Sequence, residues 1–320
     1  MSSLFLIYEI TPRCNNNCLY CYNVWKENKE YPQGELPLSE SKKLFEKVLS
    51  EIKPAGVTFA GGEPLLCPYL IEIASFLNQK KIKLGIATNG ILLDEGTVRA
   101  LVNNGVNYFE LSLASAREDS YAYLSQNDRI DKVKSAILAV KKHKARLNIS
   151  AVITKYNKSE IGEIIDLSFA FSADSISLNR FVPGGRGLEN MPDCQITKED
   201  LEDVLHIADK KAKELNFPVN ITIPVESCRI DHSRYPSLNF GTCVCGKNKW
   251  VIDPLGNLRT CEQNPEILGN LFKTGFSELA EHKKASSFRN NDLCQDCRVC
   301  AEYDNCGGGC RILNARQAIR

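Results

Sequence analysis

The sequence predicts an α/β fold: a partial (β/α)6 barrel of the TIM type with a small cysteine-rich, cluster-stabilised domain at its C-terminal end. Two patterns predict it. From residue 4 to about 215, short β-rich runs alternate with longer amphipathic ones, and cysteine is concentrated at the two ends, with three between 14 and 21 and eight between 243 and 310. Alternation of this kind implies a parallel sheet with right-handed crossovers.

The strands follow in order: LFLIYEI (4–10), GVTFAGG (56–62), IKLGIATNG (82–90), NYFELSLA (107–114), LNISAVITKYN (147–157) and SISLNRFVP (175–183). Each precedes a stretch with helical spacing. In residues 38–52, Leu44, Val48 and Ile52 recur at four-residue steps behind Ser39, the expected N-cap. Near-continuous apolar strands suit a sheet covered by helices on one face and filled on the other. Six units are too few for a standard eight-stranded barrel, so an open one is expected. After the helix at 197–215 the chain becomes Gly-, Asn- and Cys-rich, with too few apolar residues for a large core of its own. A metal has to organise it. The expected division is a core at 1–220, a linker at 221–240 and a cysteine-rich domain at 241–320.

Composition narrows the function. Of 320 residues, 43% are hydrophobic and 25% charged, with a formal net charge of +1. That balance points to no nucleic-acid or membrane partner. No export signal and no run near ~20 apolar residues are present, so the chain is expected in the cytoplasm. In a reducing compartment, 14 clustered cysteines with only four histidines argue for thiolate-bound metal, either iron–sulfur or zinc.

Cys14, Cys18 and Cys21 form C-x3-C-x2-C on the loop after the first strand, at the face where parallel barrels assemble active sites. Read as residues alone, they could hold zinc with a ligand from elsewhere, pack as buried thiols, or bind a four-iron cubane with one iron left open. With aromatic Tyr20 before the last cysteine, the loop resembles the signature of the radical SAM superfamily. The resemblance implies that Cys14, Cys18 and Cys21 hold a [4Fe-4S] cluster whose open iron chelates S-adenosylmethionine (SAM), the source of a 5′-deoxyadenosyl radical. Gly61, Gly62, Glu63 and Pro64 match the family's GGEP motif, where backbone and Glu63 receive the SAM ammonium. A plain turn is the other reading of the glycines. Thr88, Asn89 and Ser112 resemble positions lining the SAM ribose and carboxylate, and each could equally be a cap. Asn179 and Arg180 precede VPGGRG (182–187), which resembles a segment of radical SAM enzymes of cofactor and haem biosynthesis. Arg180 holds either a carboxylate or an ordinary ion pair. Leu113-Ala114-Ser115 replaces the Leu-Asp-Gly of many peptide-modifying relatives.

At the other end, C-x10-G-x4-C from Cys245 to Cys261 and C-x2-C-x5-C-x3-C from Cys297 to Cys310 resemble the SPASM domain, which holds auxiliary iron–sulfur clusters. A zinc ribbon is the rival. The resemblance assigns Cys243, Cys245, Cys261 and Cys310 to a first auxiliary cluster. Cys297, Cys300 and Cys306 go to a second, with Cys294 as the obvious fourth ligand and Asp296 or an open iron as alternatives. Whether both Cys243 and Cys245 ligate stays open. Cys67, Cys194 and Cys228 are expected to be structural, with Cys228 the readiest exception.

The implied activity is hydrogen abstraction from a substrate C–H, with the auxiliary clusters accepting electrons. Glu262, just after Cys261, sits where dehydrogenating members place an acid, and its pKa is expected to rise; an exposed turn glutamate is the alternative. A ribosomally made peptide is the first-choice substrate, for crosslinking, epimerisation or dehydrogenation. Small-molecule tailoring of a tetrapyrrole, sugar or aminocyclitol comes second, and a non-enzymatic iron–sulfur carrier third. Implied partners are an electron donor such as flavodoxin or ferredoxin and, because the first strand begins by residue 4, a separate leader-peptide-binding protein.

Overall fold

The computed structural model describes residues 3–27, 30–290, 297 and 299–317. Six strands fall where the runs predict: β1 (Phe5–Thr11), β2 (Gly56–Gly61), β3 (Lys83–Thr88), β4 (Val106–Ser112), β5 (Arg146–Ile153) and β6 (Ser175–Arg180). All pair parallel with their neighbours, and helices cross between them. The helix Leu38–Glu51 buries Leu44, Phe45 and Val48, but it is entered from Pro37, with Ser39 already inside its first turn. Proline's fixed φ suits the entry without a side-chain cap.

The sheet extends further than six units. Two three-residue strands, β7 (Val219–Ile221) and β8 (Leu238–Phe240), continue it in parallel beyond β6, so the stretch expected as a linker carries a strand. On the other side, β9 (Lys249–Ile252) pairs parallel with β1, followed by antiparallel β10 (Asn257–Arg259) and β11 (Gly269–Asn270). The order is β11-β10-β9-β1-β2-β3-β4-β5-β6-β7-β8, so the barrel stays open and the cysteine-rich segment shares its sheet.

The two faces of the strands differ more than expected. Toward the helices point Leu147, Ile149, Ala151 and Ile153 of β5 and Ile176 and Leu178 of β6, all fully buried. The inner face is polar rather than filled with apolar side chains. Asn148 reaches Ser177 at 3.1 Å and Glu110 at 3.4 Å, and Asn179 donates to Ser150 at 3.0 Å. Alternation of this kind is what a chamber lined by hydrogen-bonding groups requires. Among the described residues, no helix is long and apolar enough to cross a membrane.

Candidate active site: a three-cysteine loop and a row of thiols

The loop bearing Cys14, Cys18 and Cys21 leaves β1 and is gripped by glycines on two sides. From β2, the Gly62 N–H donates to the Thr11 carbonyl at 2.8 Å and the Glu63 N–H to that of Arg13 at 2.7 Å. A Cβ at Gly62 would lie 2.0 Å from the Arg13 oxygen, and one at Gly61 2.5 Å from that of Thr11. From the VPGGRG segment, the Gly187 N–H donates to the Cys21 carbonyl at 3.0 Å and Arg186 to that of Asn17. A Cβ at Gly185, where φ is +51°, would lie 2.6 Å from the Cys21 oxygen. Both glycine pairs therefore have a duty that sequence reading missed: they let two strand ends close on the cysteine loop's backbone.

Burial pushes the Cys18 thiol up to about 12, and its neighbours Cys21 and Cys14 push the same way. Burial likewise raises Cys14. Three thiolates this close repel one another unless a cation joins them, so the donor set fits a metal cluster. The Tyr20 hydroxyl bonds Cys18 and Ser125, and its ring packs with Leu19, Phe181 and Cys194.

Glu63 is 0% exposed. It accepts from the Thr88 hydroxyl at 2.6 Å, the Asn89 N–H at 2.8 Å and the Leu65 N–H at 3.2 Å. Burial outweighs these bonds and lifts its carboxyl to about 7. Its oxygens thus hold the end of β3 against the turn that Pro64 opens. Asn89 in turn donates to Asn15 of the cysteine loop at 2.8 Å, joining β3 to that loop. Ser112 faces Ser150 in register, and Asn179 also accepts from Thr222. Arg180 takes the ion-pair reading: Glu226 lies 3.2 Å away, and the Pro224 carbonyl accepts from its other nitrogen. The chain after β7 carries both partners over the end of β6.

The C-terminal thiols form a row. Cys245 hydrogen-bonds both Cys243 and Cys261, and Cys243 adds to the burial that raises Cys310. Val182, Phe288, Ile312 and Leu313 pack around them. The ligand atoms of Cys245, Cys261 and Glu262 lie within 4.8 Å of one another. Glu262 is half-buried in the turn after Cys261, and its carboxyl sits below the ordinary value. Burial pushes it up, and the Lys249 ammonium, 2.9 Å away, more than offsets that. The expected rise is therefore overturned by a lysine opposite Phe5 of β1. Tyr22 feels the charge of both sites: burial raises its hydroxyl, followed by Glu262 and Glu9, with Lys249 opposing and Cys21 adding. Cys297 and Cys306 are half-buried and Cys300 is exposed. Cys294 and Asp296 lie outside the described residues. Cys67 and Cys194 are buried, as structural thiols should be, whereas Cys228 is exposed.

Sequence reading missed Glu110, Lys249 and Tyr22. Glu110 had a signal in the alternation Tyr108, Glu110, Ser112, which puts a carboxyl on the inner face of β4. Burial raises that carboxyl, and Lys249 opposes it.

Residues 8–168 match the model of the radical SAM superfamily, and residues 243–301 match that of an iron–sulfur cluster-binding domain. The AdoMet-dependent heme synthase of Methanosarcina barkeri is 26% identical over 325 residues, spanning 96% of this chain and 90% of that protein. The PqqA peptide cyclase of Gluconobacter oxydans is 24% identical over 96% of this chain and 85% of its own length. The crystal structure of Streptococcus suis SuiB bound to S-adenosylmethionine superposes with a TM-score of 0.75 at 18% identity, over 97% of this chain and 73% of that one, a likeness of fold. The chain is an enzyme of the radical SAM superfamily with a C-terminal SPASM domain, and its cofactors are iron–sulfur clusters and S-adenosylmethionine.

Proposed function

We propose that this enzyme oxidises a carboxylated tetrapyrrole or a comparable cofactor precursor, removing hydrogen from an unactivated C–H. The observation that carries the oxidative reading is the electrostatic proximity of Tyr22, on the three-cysteine loop, to the Glu262–Lys249 pair beside the thiol row. The tetrapyrrole reading draws on the likeness to a heme synthase over nearly the whole of both chains. The VPGGRG string, which closes on the cysteine loop, adds to it.

In this reading Cys14, Cys18 and Cys21 hold the SAM-binding cluster, and Gly61–Pro64, Thr88, Asn89 and Ser112 shape the SAM pocket. Cys243, Cys245, Cys261 and Cys310 hold the first auxiliary cluster. Cys297, Cys300 and Cys306 hold the second, with Cys294 as fourth ligand. When bound, cluster and SAM supply a deoxyadenosyl radical that takes one hydrogen atom from the substrate. The second electron leaves toward the thiol row and the proton toward Glu262, which Lys249 keeps ionised and ready to accept it. The polar lumen orients the substrate, and the glycine-held loop excludes water. An electron donor such as flavodoxin or ferredoxin supplies the electron that starts each turnover.

The test is anaerobic turnover with SAM, dithionite and carboxylated porphyrins. The expected outcome is 5′-deoxyadenosine in step with a porphyrin product that has lost hydrogen. Glu262→Gln should slow that product by about tenfold or more without loss of iron. The likeness to a peptide cyclase supports a second reading, a ribosomal peptide recognised with a separate leader-binding protein. Deoxyadenosine that rises only with a leader-bearing peptide would replace the tetrapyrrole by that reading.

A further inference from the structure

The cations around the thiol row are of two kinds. Lys249 is answered by Glu262 at 2.9 Å and Arg180 by Glu226 at 3.2 Å. Arg289 and Arg311 are answered by backbone. The Arg311 Nε donates to the Arg289 carbonyl at 3.3 Å and its Nη1 to that of Gly309 at 3.2 Å. The Arg289 Nη1 donates to the carbonyls of Gly246 at 2.7 Å and Ala280 at 3.3 Å. Among the described residues, neither guanidinium forms an ion pair, although Arg311 is 3% exposed and Arg289 half-buried. Gly246 adjoins Cys245 and Gly309 adjoins Cys310, so the two arginines, linked through the Arg289 carbonyl, hold the backbone beside two thiols of the row.

A guanidinium keeps its charge at any working pH. Buried without a carboxylate, that charge costs more than carbonyl bonds return, so a counter-charge belongs beside it. The thiol row can supply one. Four thiolates on an oxidised cubane leave roughly two net negative charges, and reduction adds another. The field of Arg311 reaches the row: a hydrogen bond with Cys245 and burial raise the Cys243 thiol, and Arg311 opposes them. Val182, Phe288, Ile312 and Leu313 pack around the same thiols, and apolar surroundings strengthen charge interactions.

We infer that Arg311, with Arg289 behind it, is the counter-ion of the first auxiliary cluster, and that its fixed charge favours the reduced form and so makes the thiol row a better electron acceptor. Both arginines are positioning residues that act through the thiols. In the step they serve, the substrate radical left by hydrogen abstraction gives up one electron, the cluster gains it, and the proton goes to Glu262. The negative charge gained then faces two cations that no carboxylate neutralises. The inference rests on the reading that gives Cys243, Cys245, Cys261 and Cys310 one iron–sulfur cluster; it does not depend on which substrate is oxidised.

The experiment is an anaerobic redox titration of reconstituted holoenzyme, followed by electron paramagnetic resonance without substrate. Added SAM marks the signal of the SAM-binding cluster. In Arg311→Met one auxiliary couple should fall by about 59 mV or more, a tenfold shift of a one-electron equilibrium, while the SAM-binding couple stays in place. Arg311→Lys keeps the charge and should recover at least about half of that shift, whereas a purely structural clamp would leave Lys as far displaced as Met. Arg289→Met should lower the same couple, and it carries the test if Arg311→Met loses its iron. An unmoved couple in whichever of these Met variants keeps its iron, equally displaced Lys and Met variants, or an equal shift of every couple would overturn the counter-ion. Wild type with zinc in the thiol row would overturn the cluster reading and this inference with it. A lowered auxiliary couple in an enzyme that leaves porphyrins untouched would overturn the proposed substrate and leave the counter-ion standing.

Discussion

A methyl group at Gly62 would meet the Arg13 carbonyl at 2.0 Å, whereas at Gly184, with extended backbone at φ −176°, the nearest atom is the Tyr22 oxygen at 3.4 Å. Gly62→Ala forces backbone against backbone and should cost ~3 kcal/mol or more, with a marked loss of iron after reconstitution. Gly184→Ala should stay within ~1 kcal/mol and keep its iron. Equal iron in the two variants would mean that the Gly62 contact does not hold the loop. Glu63 makes a pH prediction. Its carboxyl lies at about 7 when folded, against the 4.5 of an ordinary glutamate. Between those values the folded chain keeps a proton that the unfolded chain has released, so stability falls as pH rises through the window and levels off above it. The drop is roughly 3 kcal/mol for SAM-free protein. Urea unfolding at about pH 5 and about pH 8 should show that drop, and Glu63→Gln should lack it. A variant that keeps the full slope would assign it to another group.

The elements divide into those their own residues specify and those they do not. Short β-rich, near-continuous apolar runs marked β1 to β6, because one face of every strand is buried against helices. Local pattern could not show that the inner residues Glu110, Asn148 and Ser177 form a polar lumen, since a polar position in a strand reads the same in a lumen as on a surface. Three residues each are too few for β7 and β8 to show a period, and the pairing of β9 with β1 spans more than two hundred residues of chain. Among site residues, cysteine spacing was legible because a metal fixes ligand intervals. The pairs Arg180–Glu226 and Lys249–Glu262 were not legible, because each joins side chains from separate stretches of chain that no local period relates. The cysteine loop and the thiol row should separate in function. Cys18→Ala removes one of the loop's three sulfurs and should abolish 5′-deoxyadenosine formation. Cys300→Ala, at the exposed end of the chain's cysteine array, should leave SAM cleavage measurable while product is lost. Wild-type SAM cleavage in the Cys18 variant, read by chromatography, would contradict the loop's assignment.

Across the whole molecule, one buried ion pair ties the cysteine-rich segment to the barrel. Arg259 on β10 is 0% exposed and Glu9 on β1 is 2% exposed, and the guanidinium meets the carboxylate directly. Its other nitrogen donates to the carbonyls of Glu262 at 3.1 Å and Asn264 at 2.9 Å, the turn just after Cys261. The guanidinium also lies over the Tyr31 ring, 5.5 Å from its centroid, and the Tyr31 hydroxyl donates to Asp253 at 2.9 Å. Glu9 thus holds the turn beside the thiol row to the strand that leads into the three-cysteine loop. Removing either partner strands a buried charge or leaves carbonyls unanswered, at about 3–5 kcal/mol, whereas Glu9→Leu with Arg259→Met removes both charges and should recover most of the loss. Thermal unfolding of the two single variants and the double variant measures that coupling as a cycle. Position has its own readout: in Glu9→Gln the electron paramagnetic resonance of the auxiliary cluster should change while that of the SAM-binding cluster does not. Additive losses in the cycle, together with unaltered spectra, would show that the two halves are held in place by the β1–β9 pairing alone.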